Sequence, residues 1–248
     1  MSVNIKGIEQ TTGSLKREAE WLGLDLLGEI IRLGRMIAVE CAKMTQPWGL
    51  TKASQEQGQK AVAKDISKVF TLPSPVYLEL RRRSPEAAEQ YWVGYKKRNM
   101  AAMRKAFYRA SYSIDIARTP RRELHDAARQ YQGRVRLAHP VQLVLDKNAL
   151  ARYKKERQKA VGYVKAGWAR AADELGGHRG IPAWASSKQR GATGRAIIER
   201  NALHPKVTIE NTIPYVMDNL DPMEVNRALH DAYGKLMKYL SYRKFSDD

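Results

Sequence analysis

The side chains that most often carry enzymatic chemistry are few and widely separated in this sequence. Its five histidines stand at least 14 residues apart, at His125, His139, His178, His204 and His230. None has a second histidine four residues away or a neighbouring cysteine, the spacings that are typical of zinc sites. We therefore expect no bound metal ion, and we interpret the histidines as solvated or hydrogen-bonded side chains on the surface.

Two further patterns suggest chemistry, and both are incomplete. Residues 191–194 (GATG) share the glycines of a phosphate-binding loop, but they lack its Gly-Lys-Ser/Thr ending and no buried strand precedes them. The single cysteine, Cys41, falls on an apolar helix face, where a thiol is usually a small buried side chain. No Gly-x-Ser-x-Gly nucleophile signature is present. These features predict a protein that is not an enzyme, with no catalytic residue and no cofactor, while the scattered carboxylates leave a paired-acid site open.

Positive charge is the outstanding feature of the composition. The chain contains 44 Lys and Arg against 26 Asp and Glu, a net charge of +18. Three runs hold the excess: residues 81–136 contain 15 basic and 5 acidic side chains, residues 152–170 contain 7 and 1, and residues 176–200 contain 5 and 1. A single charge run is usually a solvated face, but three of them favour a positive surface that attracts polyanions such as nucleic acid.

Apolar residues recur at helical spacing from Leu15 to Met44, with about 3.6 residues to each step. This period predicts a helix over 15–44, capped by Ser14 and ended by Gln46 and Pro47. Similar patterns predict helices over 54–70, 85–110, 146–175 and from Asp221 onwards, a short helix around 124–131, and strands at 141–145 and 206–214. Two prolines make residues 72–80 a predicted loop or edge strand. No run approaches 18 apolar residues and no signal peptide is recognisable, so we expect an intracellular protein without membrane contact.

Taken together, these elements predict an α+β fold of long amphipathic helices packed on a small antiparallel sheet. We expect one structural domain over residues 1–248. Residues 176–200, with five glycines up to Gly194, are predicted as a long basic loop or an extended hairpin that could serve as an arm.

Three segments in fixed order resemble a known group of proteins. They are residues 42–49 (AKMTQPWG) followed by 58–70 (GQKAVAKDISKVF), residues 158–172 (QKAVGYVKAGWARAA) followed by 181–184 (IPAW), and residues 207–216 (VTIENTIPYV) with the closing amphipathic helix. This arrangement, which covers about half of the chain, resembles the minor tail, neck and tail-completion proteins of tailed bacteriophages. Compact members of that group are shorter, so the resemblance makes residues 71–145 a candidate insertion.

The resemblance implies a virion structural protein, assembled in the host cytoplasm as a homo-oligomeric ring at the neck or tail. Its partners would be copies of itself, other phage neck, connector or tail proteins, and the DNA that passes through the lumen. The candidate intersubunit arm contains Arg179, Trp184, Lys188, Arg190 and Arg195. The candidate DNA-facing basic surface contains Arg81, Arg82, Arg83, Lys96, Lys97 and Arg98.

Two other classes of function stay open at this level. A basic nucleic-acid-binding protein would use the same positive surface through phosphate contacts, and residues 91–98 (YWVGYKKR) interleave aromatic and basic side chains in a way that can stack bases. At helical spacing, aromatic residues are more often part of the core. A small nuclease would need clustered acids or histidines, which this pattern does not supply.

Overall fold

The computed structural model describes residues 17, 25–129, 135–188, 191–200, 205–213 and 220–246. Helices dominate, and two small sheets accompany them, so the predicted α+β class is confirmed. In chain order the elements are α1 (Leu26–Met44), α2 (Lys52–Val69), β1 (Phe70–Thr71), α3 (Pro73–Arg83), α4 (Pro85–Lys96), α5 (Met100–Arg109), β2 (Asp115–Ala117), α6 (Arg122–Arg129), β3 (Gln142–Val144), α7 (Lys147–Lys159), α8 (Tyr163–Glu174), α9 (Ala183–Ser186), β4 (Gly194–Glu199), β5 (Lys206–Asn211) and α10 (Pro222–Ser246).

The chain divides into two compact units. Unit 1 comprises Met1–Gly58 and Val161–Asp248, and unit 2 comprises Gln59–Ala160. The predicted insertion 71–145 falls inside unit 2, whose limits are wider on both sides. The two parts of unit 1 therefore come from opposite ends of the sequence.

Unit 1 packs α1 and α8 against the antiparallel pair β4–β5, and α10 against α1. Alternation along the strands turns Ala196, Ile198, Val207 and Ile209 towards α1 and α8, as the period-2 pattern requires. The opposite face carries the exposed ion pairs Arg195–Glu210 and Lys206–Glu199, at N–O distances of 2.5 and 2.9 Å. The core beneath the sheet is completed by Leu33, Ile37, Trp168, Leu236 and Leu240.

Unit 2 contains a three-stranded parallel sheet that the sequence did not predict, in the order β1–β3–β2. Its strands are two or three residues long, too short for any periodic signal. Only the central strand, β3, was expected, within residues 141–145. An aromatic cluster under α3, α4 and α5 joins Tyr91 to Phe107 and Tyr112, with Tyr91 and Phe107 ring centroids 5.4 Å apart.

The prediction of a loop or edge strand over residues 72–80 was wrong, because this segment begins helix α3. Pro73 stands at the start of the helix and Pro75 lies in its first turn. Amide hydrogens in the first turn have no partner within a helix, so proline loses no hydrogen bond there. Val76 and Leu80 then point into the core one turn apart.

Three predicted long helices are interrupted in the structure. Asp25 caps α1 by accepting from the amides of Leu27 and Gly28, both at 3.1 Å, so this helix begins there rather than continuing from Leu15. The predicted cap Ser14 lies outside the described residues. Arg98, at a φ of 51°, separates α4 from α5 within the predicted helix 85–110, and Gly162, at a φ of 92°, separates α7 from α8 within 146–175.

The region predicted as a basic loop or hairpin, residues 176–200, holds two regular elements. They are the single turn α9 and the strand β4, which pairs with β5. Trp184 on α9 packs against the core of unit 1.

Candidate functional site

Lys165, on α8, is fully buried in unit 1 and holds the end of α1. Its Nζ donates hydrogen bonds to the carbonyl oxygens of Ala42 and Thr45, both at 2.5 Å. Carbonyls at a helix C-terminus have no partner within the helix and carry partial negative charge, so a cation is favoured there. Burial lowers the pKa of Lys165 to about 7, while the two carbonyl acceptors favour its ammonium form.

Thr45, at the end of α1, is also bound by a second residue of α8, Trp168. The Oγ1 of Thr45 donates to the carbonyl of Cys41 at 2.7 Å and accepts from the indole Nε1 of Trp168 at 3.0 Å. Both polar ends are buried, so the bonds have no competition from water and fix the position of the turn. Trp168 also fills the core on its other side.

Asn211, at the end of β5, fastens the sheet to the first turn of α8. Its Nδ2 donates to the carbonyl of Val164 at 2.9 Å, and its Oδ1 accepts from the amide of Ile213 at 3.2 Å. Two glycines permit this approach. A Cβ at Gly167 would lie 2.3 Å from the Oδ1 of Asn211, and a Cβ at Gly194 would lie 1.7 Å from the carbonyl oxygen of Gly167.

These contacts bring the three segments that carry the resemblance into one place. Thr45 comes from the first segment, Lys165 and Trp168 from the second, and Asn211 from the third; we call these four residues the buried cluster. Sequence reasoning missed Lys165, which it counted in the basic run 152–170 as a surface charge. The available signal was its position between Val164 and Ala166, in the mostly apolar first half of α8.

The candidate arm residues are divided between contacts within the chain and solvent. The Nε1 of Trp184 donates to the carbonyl of Leu50 at 3.3 Å, and the Nζ of Lys188 donates to the carbonyl of Val161. Arg195 is paired with Glu210 across the strands. Arg179 is exposed and has no ion pair within the described residues, whereas Arg190 lies outside them.

The six residues of the candidate basic surface are all exposed, but they form two groups. Arg81, Arg82 and Arg83 close α3, just before α4 begins, and Lys96, Lys97 and Arg98 follow at its far end. A helix of this length separates the two groups by about 18 Å. Arg82 and Arg83 are also occupied by Glu79, at 3.8 and 3.0 Å. The structure therefore gives two separate patches of positive charge.

A surface depression on unit 1 is the natural place to look for a small-molecule site. It has a volume of about 410 Å³ and is lined by Arg170, Glu174, Thr193, Gly194, Arg195 and Thr212. Its charged groups already have partners: Arg170 donates to the carbonyl of Ala192 at 2.8 Å, and Glu174 accepts from the amide of Ala196 at 2.6 Å. These side chains tie β4 and the residues just before it to α8.

In unit 2, a buried histidine takes part in a network that the sequence did not predict. The Nδ1 of His125 lies 2.9 Å from the hydroxyl of Tyr153, which accepts from the Nε of Arg157 at 3.1 Å. Arg157 is in turn paired with Asp126. Burial, reinforced by the neighbouring Arg129 and Arg157, lowers the pKa of His125 to about 4. The imidazole is therefore neutral at physiological pH.

Within the described ranges, no group of three or more His, Cys, Asp or Glu side chains is arranged to hold a metal ion. None of the helices in that part of the chain is long and apolar enough to span a membrane. Comparisons of the chain with protein-family models, with curated proteins and with solved structures give no match. A function has to be argued from the contacts themselves.

Proposed function

We propose that this chain is a structural protein of a tailed-bacteriophage virion, which forms a homo-oligomeric ring at the neck or tail around the DNA channel. Other neck, connector or tail proteins would bind the ring, and the protein would reach the virion by assembly in the host cytoplasm. In this role the protein needs a rigid body and contact surfaces rather than a reactive centre.

The observation that carries the proposal is the buried cluster. Three short segments, each a weak match alone, are distant in sequence, yet Lys165 binds the carbonyls of the first segment and Asn211 binds a carbonyl of the second. If the three segments belong to one scaffold, their side chains should meet in space, and these do. This supports a likeness of the whole of unit 1 rather than three coincidences.

The reactive side chains of unit 1 support the same role. Cys41 is fully buried, and burial, with the nearby Glu40, raises the pKa of its thiol to about 12. Lys165 is occupied by two carbonyls. Glu40 accepts a hydrogen bond from Lys43 within α1 and another from Lys235, which binds α10 to α1. These three groups are thus part of the internal framework.

A ring also needs exposed apolar surface for its neighbours, and helix α10 supplies some. Met223 is 79% exposed and Tyr242 is 65% exposed. Methionine and aromatic residues are enriched where protein surfaces meet. We propose that α10 and the exposed Arg179 contribute to the contact between subunits.

The test is the oligomeric state of the full chain, measured by mass photometry and negative-stain microscopy. We expect a ring for the wild-type protein and its loss in the variant Met223→Ser/Tyr242→Ser. The control, Tyr108→Ser, removes an even more exposed aromatic side chain from unit 2 and should keep the ring. A wild-type protein that stays monomeric at high concentration and does not bind phage structural proteins would overturn the proposal.

A second candidate function is binding of nucleic acid through phosphate contacts. It is favoured by the distribution of charge: unit 2 contains 24 Lys and Arg against 9 Asp and Glu, and so has a net charge of +15. We expect binding that weakens steeply with salt. Neutralising the six residues Arg81, Arg82, Arg83, Lys96, Lys97 and Arg98 should abolish that binding without changing the oligomeric state, which separates this function from assembly.

A further inference from the structure

Helix α5 of unit 2 has one buried and one exposed face. Met103, Ala106 and Phe107 are buried in the aromatic cluster. The exposed side carries Arg104, Lys105 and Tyr108. Tyr108 follows Arg104 by four residues and Lys105 by three, so its side chain neighbours both cations. Asn99 fixes where the helix begins, because its Oδ1 accepts from the amide of Ala102 at 3.0 Å.

Two more cations precede this helix. Lys97 and Arg98 are exposed in the turn between α4 and α5, and the side chain of Asn99 holds the turn in place. We call Lys97, Arg98, Arg104, Lys105 and Tyr108 the α5 face. It extends over about 15 Å along the helix axis.

The four cations of the α5 face differ from most basic side chains near them. Arg109 is paired with Glu86 at 2.9 Å, and Arg83 is paired with Glu79 at 3.0 Å. Lys97, Arg98, Arg104 and Lys105 have no ion pair among the described residues. A group of cations without internal counter-charges attracts a polyanion, since binding releases the counterions of the phosphates.

Tyr108 supplies a second and independent feature. It is 90% exposed, although its neighbour Phe107 is buried. An aromatic ring that projects into water between Arg104 and Lys105 stabilises no core, but it can stack on a nucleobase. Stacking requires a base that is not already paired, so the ring favours a single strand over a duplex.

We infer that the α5 face binds single-stranded nucleic acid, with its four cations on the phosphates and Tyr108 stacked on a base. This inference rests on the second candidate function and names its site and its ligand. It also moves that site, because Arg104, Lys105 and Tyr108 join Lys97 and Arg98, while Arg81, Arg82 and Arg83 at the other end of α4 lie outside it.

The experiment measures binding of fluorescent oligothymidine, and of a duplex of equal length, to the full chain across a range of salt concentrations. Arg104→Gln/Lys105→Gln should weaken single-strand binding by about tenfold. It should also lower the magnitude of the salt slope by about 1.4, since each lost phosphate contact contributes about 0.7 for single strands. The control Arg152→Gln/Lys155→Gln removes the same charge from exposed positions on α7 and should have a much smaller effect.

Substitutions of Tyr108 distinguish base stacking from electrostatic attraction, because they leave the charge of the α5 face unchanged. Tyr108→Leu should weaken single-strand binding by about tenfold and leave duplex binding unchanged, whereas Tyr108→Phe should bind like the wild type. Equal losses in the α5 and α7 charge variants would overturn the inference in favour of diffuse attraction. Stronger binding to vesicles of phosphatidylserine, lost in the same variants, would also overturn it.

Nucleic-acid binding by the chain and its location on the α5 face are tested by different outcomes. If the wild-type chain binds no nucleic acid at low salt, the second candidate function fails together with the α5 face. If the wild type binds and all α5-face variants bind equally well, only the α5 face is wrong. Far-ultraviolet circular dichroism checks that the variants fold, as their exposed positions predict.

Discussion

Unit 1 and unit 2 use their residues in opposite ways. Unit 1 has 20 basic and 17 acidic residues. Its fold is held by close approaches at glycines and by buried polar groups that are hydrogen-bonded to one another. Unit 2 has a net charge of +15, with an aromatic core and many exposed cations. A rigid, nearly neutral body suits contacts with other proteins, whereas concentrated charge suits a polyanion. Most of the net positive charge of this protein therefore lies in unit 2.

The largest effect is expected for Gly194→Ala in unit 1. The new Cβ would meet the backbone of Gly167 at 1.7 Å, so the sheet and α8 must separate. We expect unit 1 to lose at least about 3 kcal/mol of unfolding free energy, while unit 2 is unaffected. Urea unfolding followed by peptide-resolved hydrogen exchange measures the two units separately.

Gly234→Ala is the control for this substitution. No atom lies within 4 Å of a Cβ at Gly234, which is in the middle of α10, so alanine should stabilise the helix by up to about 1 kcal/mol. If the two glycine variants show equal hydrogen-exchange protection in unit 1, the close packing of α8 on the sheet does not determine the stability of this unit.

The next effect is a pH dependence confined to unit 2. The pKa of His125 is about 4 in the folded protein, against an ordinary value of 6.5. Between pH 6.5 and 4 the unfolded chain therefore binds a proton that the folded unit does not. Stability falls as the pH is lowered through this window, by at most about 3 kcal/mol. Denaturation of the wild type and His125→Gln at pH 7 and pH 4.5 measures it.

The exposed His139 provides the matched control. His139→Gln should retain the acid sensitivity of the wild-type protein, and His125→Gln should lose most of it. An identical pH dependence in all three proteins would show that the buried imidazole is not linked to the stability of unit 2.

A smaller loss is expected for Lys165→Met in unit 1. Methionine leaves the carbonyls of Ala42 and Thr45 without a buried donor, which should lower the unfolding free energy by about 2 kcal/mol at pH 7. Because the pKa of Lys165 is about 7, the folded state binds fewer protons than the unfolded state above that pH. Wild-type stability should therefore rise relative to the variant from pH 7 to pH 9. Lys238→Met, at an exposed position, serves as the control. A difference in unfolding free energy between the wild type and Lys165→Met that stays constant with pH would contradict this account.

The smallest effect compares two strained positions in unit 2. Arg98 and Ser111 have φ values of 51° and 49°, a region that glycine adopts without strain. Each substitution by glycine should stabilise unit 2 by about 1 kcal/mol. Only Arg98→Gly should also weaken nucleic-acid binding, since Ser111 carries no charge. Equal binding by the two variants would remove Arg98 from the α5 face.

The strongest predictions from sequence were those that depend on long periodic patterns or on capping residues. The strand at β5 and the helix α10 that begins after Asp221 are confirmed, and the amide of Met223 donates to the carboxylate of Asp221 at 2.8 Å. The breaks at Arg98 and Gly162 were missed because each occupies a single position in an otherwise unbroken helical pattern. The helix α3 was missed because proline was interpreted as a strand-edge residue rather than as the first residue of a helix.

The candidate site was less predictable than the fold. The sequence identified the excess of positive charge, and it identified the segments that meet in the buried cluster. Counting charges did not distinguish the buried Lys165 from the exposed Lys105, since both fall in basic runs of the sequence. The difference depends on which neighbours the chain brings to each side.

The sequence by itself determined the class of the fold, the positions of its longer helices and the amount of charge, because helical periodicity, capping and net charge are local or additive properties. The tertiary structure decided which charges are buried, which aromatic rings join the core, and that residues 45, 165 and 211 meet. Those outcomes depend on contacts between segments far apart in the chain, and the close approach of α8 to β4 and β5 exists only where glycines from different segments coincide.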